Sequence, residues 1–256
     1  MPTTGDLQMV RAIAHRGYSA RYPENTLLAF EKAIEAGADY IETDIRLSRD
    51  GIIVCCHDAN LERIAGDPRN IAEMNLNELR AISLPQGQHV PTLNELLNQS
   101  AGRARILLDI KIDARAILPQ VFRELRHAGV DADVTLGIRY LKHMDAYGSQ
   151  MHPVRVLGLV ANYDDVHAFL ERGAFAIRVW EEDLTSELQH AVKEWGRQIW
   201  ITAGLRSRGE KAGEINRQRV AALIARGIDG IILNDPTLVT RLRLDTIQKI
   251  SNTQNA

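Results

Sequence analysis

The sequence predicts an α/β fold in which parallel strands alternate with helices around a closed barrel, and three observations carry that prediction. Short apolar runs alternate with helical patterns along most of the chain, the signature of repeated strand-helix units on a parallel sheet. The length of 256 residues suits one large α/β domain and is long for two ordinary ones. Small groups of charged residues stand at the ends of the apolar runs, where barrel enzymes display their functional groups.

Strands are expected near 10–15, 40–46, 52–57, 105–111, 133–138, 154–160, 174–180, 198–203 and 229–233. The first runs from Val10 into His15, the second contains Glu42 and Asp44, and the third runs into His57. Helical patterns occupy 26–36, 114–128, 141–148, 164–172, 185–195 and 215–225. These nine strands exceed the eight places of a barrel, so 40–46 and 52–57 are read as one long strand and its return across the Asp50-Gly51 turn. Between 58 and 97 the alternation breaks at Pro68, Pro85, Gly87 and Pro91, with one clear helical pattern at 75–81. That stretch reads as an insertion on the barrel rim after the second strand region. No linker, composition shift or repeat divides residues 1–256, which read as a single domain, and 251–256 is polar enough to be disordered.

Hydrophobic residues make up 45% and charged residues 25%, the balance of a globular protein with a sizeable core. A net charge of -2 gives no general attraction to nucleic acid or to anionic membranes. The first ten residues are polar, and no apolar run approaches membrane-spanning length, so stable membrane insertion is not expected and a cytoplasmic location is. The two cysteines, Cys55 and Cys56, are adjacent on an expected strand and should point to opposite faces, which argues against a disulfide.

Glu42 and Asp44 are two apart on a strand and share a face, as do Asp109 and Lys111. Charges inside apolar strands are costly unless they are paired or hold a metal. Glu42, Asp44 and Asp109 could supply hard oxygen ligands to Mg²⁺ or Ca²⁺, or they could pair with Lys111, Arg16 or Arg46 in a structural network; the metal reading is preferred. His15 and His57 end strands and titrate near neutrality, which suits them to take and give protons. Arg16 and Lys111 offer cationic contacts for a phosphodiester, and Gly17 permits a close turn. Asn25 and Thr26 are read as helix caps, whereas Glu24 could instead hold Arg16. His127, His143, His167 and His190 are read as solvated; His89 and His152 are given no role.

His15-Arg16-Gly17, Pro23-Glu24-Asn25-Thr26, Glu42-Thr43-Asp44, Asp50-Gly51 and His57-Asp58 follow one another in order, and in this the chain resembles the glycerophosphodiester phosphodiesterase family. Weaker echoes extend over almost the whole chain, among them Leu61-Glu62-Arg63, Pro91-Thr92-Leu93, the strand containing Trp200, and Asn234-Asp235-Pro236. The resemblance implies a TIM (β/α)8 barrel and metal-dependent hydrolysis of small glycerophosphodiesters, such as glycerophosphocholine or glycerophosphoethanolamine, to sn-glycerol 3-phosphate and an alcohol. By position it makes His15 and His57 the acid/base pair, Glu42 and Asp44 metal ligands, Arg16 and Lys111 phosphate contacts, and Trp200 a wall of the substrate pocket.

The chain departs from the family pattern in three places. Asp109-Ile110-Lys111 stands where Glu-x-Lys is usual, Arg139-Tyr140 where Ser-Phe is usual, and Trp200 is followed by Ile201-Thr202-Ala203 in place of Thr-Val-Asn. For Arg139 and Arg178, both near expected strand ends, a surface salt bridge is the preferred reading, and a contact from one of them to a second anionic group is the hypothesis set beside it. Two other functions are set beside hydrolysis of soluble diesters. One is a lysophospholipase D-like or phosphoinositide-directed lipase, which needs an exposed apolar or basic rim, and the insertion carries Ile64, Ile71, Met74, Leu76, Leu79 and Ile82. The other is a catalytically weak phosphate-binding module. The insertion also offers a surface for a homo-oligomer contact.

Overall fold

The computed structural model describes residues 10–148, 154–160 and 162–254. Its central sheet is a ring of parallel strands: β1 (Arg11–Ala14), β2 (Tyr40–Leu47), β3 (Arg105–Ile110), β4 (Val134–Ile138), β5 (Arg155–Leu159), β6 (Ala176–Trp180), β7 (Gln198–Thr202) and β8 (Gly230–Leu233). Ala14 pairs with Leu233 on one side and Ile41 on the other, so β1 joins β8 to β2 and closes the eight-stranded barrel. The strands are buried on both faces and therefore read as apolar runs without alternation. Helices α1 (Leu27–Glu35), α2 (Leu93–Ser100), α3 (Ala114–Ala128), α4 (Leu141–Gly148), α5 (Asp165–Glu171), α6 (Ser186–Glu194), α7 (Arg217–Ala225) and α8 (Thr237–Gln254) follow the strands in turn.

The core falls into layers. Phe30, Phe122, Phe169 and the apolar faces of the helices pack on the outside of the strands. A smaller cluster of Ile13, Tyr40, Leu107, Leu157, Leu159, Ala176, Trp200 and Ile232 fills the barrel interior. The expected return strand is present: Ile53–Cys55 runs antiparallel to β2, with Ile45 opposite Cys55. Cys55 joins the main core and Cys56 the core of the inserted segment, as the alternation of a strand requires.

The inserted segment carries its own apolar core of Val54, Cys56, Leu61, Ile71, Met74, Leu79, Leu84 and Val90, with Ile64, Leu76 and Ile82 packed against it. Ile64, Ile71, Met74, Leu76, Leu79 and Ile82, the apolar residues of the insertion, thus belong to this core or pack against it. It holds a two-stranded hairpin (Asn60–Leu61 and Asp67–Asn70) and short helices at Glu62–Ala65 and Leu76–Arg80, the latter inside the expected pattern at 75–81.

Two expectations are corrected. Residues 93–97, read as the end of the insertion, begin α2, which packs between α1 and α3 as a barrel helix. Its signal was present as a capping box: the Thr92 hydroxyl accepts from the Glu95 amide at 3.2 Å, and the Glu95 carboxylate accepts from the Thr92 amide at 2.8 Å. Residues 251–254, read as disordered, continue α8, while 255–256 lie outside the described residues. Among the described residues no helix is long and apolar enough to cross a membrane.

Candidate active site

The C-terminal ends of the strands surround a cleft, with an inner cavity of about 190 Å³ beside an outer one of about 760 Å³. His15, Arg16, His57 and Ala212 line both. The turn after β1 is built for close approach. Arg16 has φ 57° and Gly17 φ 77°, and a Cβ at Gly17 would lie 2.7 Å from the Ala29 backbone. The turn aims the Arg16 amide at Glu42, whose Oε2 accepts from it at 2.8 Å.

Asp44 on β2 and Asp109 on β3 are in register on neighbouring strands, a like-charge pair that would be destabilising alone. Lys111 sits between them, its Nζ 2.9 Å from Asp44 Oδ1 and 2.6 Å from Asp109 Oδ2. Arg16 lies 3.2 Å from Asp44 and donates to Glu24 at 3.0 Å. Burial works against ionisation of Asp44, but Lys111 and Arg16 outweigh it and hold the carboxyl below its ordinary range. Burial also opposes the charges of Arg16 and Lys111, and the surrounding carboxylates more than offset it, Asp44 foremost. Glu42 is the exception: burial, and then the charges of Asp44 and Asp109, push it well above the usual carboxylate range.

Oxygens of Glu42, Asp44 and Asp109 lie within 4.8 Å of one another. The donor set is hard, the acids are buried or nearly so, and the local cations leave Glu42 under repulsion that a further positive charge would relieve. These residues therefore fit a divalent cation such as Mg²⁺ or Ca²⁺. The aspartate at 109 still reaches the cluster despite lacking a methylene. Arg46, an alternative partner for the acids, instead donates to the His57 carbonyl at 2.7 and 3.0 Å and fixes that turn.

Both histidines have one ring nitrogen held. His15 Nδ1 is 2.7 Å from Asn234 Oδ1, and the Asn234 amide is oriented by its donation to Ala212 O at 3.0 Å, so Nδ1 carries the proton and Nε2 is left as an acceptor. Burial, followed by the charge of Arg16, lowers His15 to about 4 and keeps the ring neutral at pH 7. His57 Nδ1 is 2.7 Å from Asp58 Oδ1. Asp58 binds Arg63 at 2.6 Å, and Arg63 binds Glu24 at 2.6 Å, so the insertion is tied through Glu24 to Arg16.

The structure brings His15, His57, Arg16, Lys111, Glu42 and Asp109 to one cavity, with Asp44 bonded into it through Lys111 and Arg16. It does not bring Trp200 there. That side chain is fully buried in the interior layer, edge-on to Tyr40 at 5.0 Å, two residues below Thr202, which does line the cavity. Strand parity points Trp200 inward but leaves its depth open. Trp180, at the end of β6, lines the cavity instead.

Asn25 is also corrected. Thr26 caps α1, accepting from the Ala29 amide, whereas Asn25, at φ 53°, donates to Asp44 Oδ2 at 3.0 Å and accepts from the Thr43 hydroxyl at 2.7 Å. His143 is buried, 3.2 Å from Asp113; His127, His167 and His190 are exposed as expected, and His152 lies outside the described residues. Asn234 and Arg63 were visible in the sequence only as weak echoes.

Comparison with known proteins agrees with this geometry. The model of the glycerophosphoryl diester phosphodiesterase family matches residues 15–147, from His15 through Arg139 and beyond. A glycerophosphodiester phosphodiesterase of Caldanaerobacter subterraneus is 26% identical over 248 residues, covering 90% of this chain and 97% of that protein. The crystal structure of a glycerophosphodiester phosphodiesterase from Thermotoga maritima is 28% identical, with a TM-score of 0.73 over 91% of this chain and 98% of that one. A phosphodiesterase of Oleispira antarctica, solved in complex with the product sn-glycerol-3-phosphate, shares the fold with a TM-score of 0.79 at 19% identity, over 91% of this chain and 96% of that one. With a family match over more than half its length that begins at the first histidine of the cleft, the chain belongs to the glycerophosphoryl diester phosphodiesterase family and is a phosphodiester hydrolase.

Proposed function

We propose that this protein is a metal-dependent hydrolase that converts glycerophosphodiesters, such as glycerophosphocholine or glycerophosphoethanolamine, to sn-glycerol 3-phosphate and an alcohol. The observation that carries the reading is one cleft in which two histidines, each with Nδ1 held by a neighbour, meet a buried carboxylate cluster and two cations. The product seen in the Oleispira relative supports the choice of substrate class.

Glu42, Asp44 and Asp109 would hold the divalent cation, which when bound stabilises negative charge developing on the phosphoryl oxygens. Arg16 and Lys111 contact the phosphate and contribute to the same stabilisation. The attacking oxygen, from water or from the glycerol hydroxyl next to the phosphate, forms a bond to phosphorus as the bond to the alcohol oxygen breaks; attack by the hydroxyl leaves a cyclic phosphate, which a water then opens to glycerol 3-phosphate. One histidine takes the proton of the attacking oxygen at Nε2, and the other gives a proton to the departing one. Asn234 and Asp58 hold the two rings in the required orientation. Two free, buried cysteines suit a reducing compartment, and the reading places the enzyme in the cytoplasm.

The test is release of glycerol 3-phosphate from both diesters by purified protein with EDTA, Mg²⁺ or Ca²⁺, alongside His15→Ala and His57→Ala. Metal-dependent release that falls by about 10²-fold or more in each variant is expected. Release unaffected by chelation, or retained in both variants, contradicts the mechanism.

A further inference from the structure

Arg178 is a cation of the cleft that the proposed chemistry leaves unused. It lies on β6 beside Leu159 of β5 and Trp200 of β7, is 5% exposed, and lines the inner cavity with Trp180. The other cations of that cavity are matched: Arg16 by Asp44 and Glu24, Lys111 by Asp44 and Asp109, Arg139 by Asp109 at 3.1 Å. The salt-bridge reading thus holds for Arg139. Among the described residues Arg178 makes no ion pair, its Nε has no hydrogen-bond partner, and its guanidinium lies 5.5 Å from the Trp180 ring centre.

An unpaired buried charge costs free energy that the fold must recover elsewhere. Burial lowers Arg178 to about 10; the charges of Asp109 and Glu42 offset only part of that, and the group stays charged at neutral pH without an ion-pair partner among the described residues. Position adds a second argument. The histidines, the carboxylates and Lys111 come from β1, β2, its return strand and β3, whereas β6 lies across the ring from β2. Arg178 thus faces the inner cavity from the side opposite Arg16 and Lys111, which suits it to a part of the substrate other than the cleaved phosphate.

We infer that Arg178 is a specificity residue, receiving a second anionic group, a carboxylate or a phosphate, that the substrate carries besides the phosphate being cleaved. The planar guanidinium fork suits either group. This rests on the hydrolase reading proposed above.

Two matched comparisons test it. Glycerophosphoserine differs from glycerophosphoethanolamine by one carboxylate, and 3-phosphoglycerate differs from glycerol 3-phosphate by a carboxylate in place of a hydroxymethyl group. The kcat/KM ratio of the first pair, and the binding ratio of the second by calorimetry, are measured for wild type, Arg178→Met and Arg178→Lys. In at least one pair the carboxylate-bearing member is favoured by about tenfold in wild type, the advantage disappears in Arg178→Met, and part of it survives in Arg178→Lys. Arg178→Met melts no lower than wild type, since an apolar chain replaces a buried unpaired charge; a merely structural arginine would give a lower Tm. The inference is overturned if neither ratio moves, including the case where Arg178→Met weakens both members of each pair alike, because Arg178 would then serve the cleaved phosphate. If wild type cleaves neither diester, the hydrolase reading is what fails, and the binding ratio alone decides for or against the anion site.

Discussion

Asn25 tests most directly whether the site is held together as described. Its amide joins the turn before α1 to β2, donating to the buried Asp44 carboxylate at 3.0 Å and accepting from Thr43 at 2.7 Å, while its backbone sits at φ 53°. Asn25→Gly keeps that backbone conformation and removes the side chain. The lost bond to a carboxylate contributes about 1.5–3 kcal/mol and the neutral one about 1 kcal/mol, so a loss of about 3 kcal/mol is expected. Asn25→Ala loses the same bonds and adds about 1–2 kcal/mol for an L side chain in the left-handed region. For a chain of this size each kcal/mol moves Tm by about 2–4 °C. Asn25→Gly should therefore melt about 6–12 °C below wild type and Asn25→Ala lower still, measured by thermal circular dichroism in EDTA. Activity should fall in both, because Asp44 is no longer oriented. A Tm for Asn25→Gly within about 2 °C of wild type would refute the reasoning, since the hydrogen bonds would then contribute almost nothing, as for a residue that merely precedes a helix cap.

Three further outcomes are expected. A Cβ at Gly213 would lie 2.1 Å from Asn234 Oδ1, so Gly213→Ala should displace Asn234, free the His15 ring and lower kcat by about tenfold or more; steady-state kinetics with unchanged kcat would contradict that link. Mg²⁺ or Ca²⁺ at about 100 times its Kd should stabilise the protein by ~2.7 kcal/mol, and the rise in Tm should vanish in Glu42→Gln; a rise that persists there would place the ion elsewhere. Burial pushes the thiols of Cys55 and Cys56 up to about 12, so neither should react with a thiol reagent at pH 8 until the protein is unfolded, and labelling of the native protein, read by mass spectrometry, would contradict their burial.

The strand-helix alternation, the return strand after Asp50-Gly51 and the residue types that line the cleft are all legible in the chain before it folds. Local rules govern these features: apolar runs buried on both faces, a two-residue period that sets Glu42 and Asp44 on one face, and a turn that only Gly17 fits. Helix α2 is legible too, in the Thr92–Glu95 capping box, although Pro85, Gly87 and Pro91 just before it mask the return to strand-helix alternation. Depth and partner were decided only by the tertiary structure. Strand parity turned Trp200 inward but could not say that it lies a layer beneath the cavity, with Trp180 lining the cavity instead. Asn25 looked like a cap because capping is local, whereas its bond to Asp44 spans 19 residues. His15 depends on Asn234 across 219 residues, and among the described residues Arg178 makes no ion pair because Asp109, the carboxylate whose charge acts on it most, is taken by Lys111 and Arg139. Such properties depend on which distant residues barrel closure brings together, a relation that no local pattern in the chain encodes.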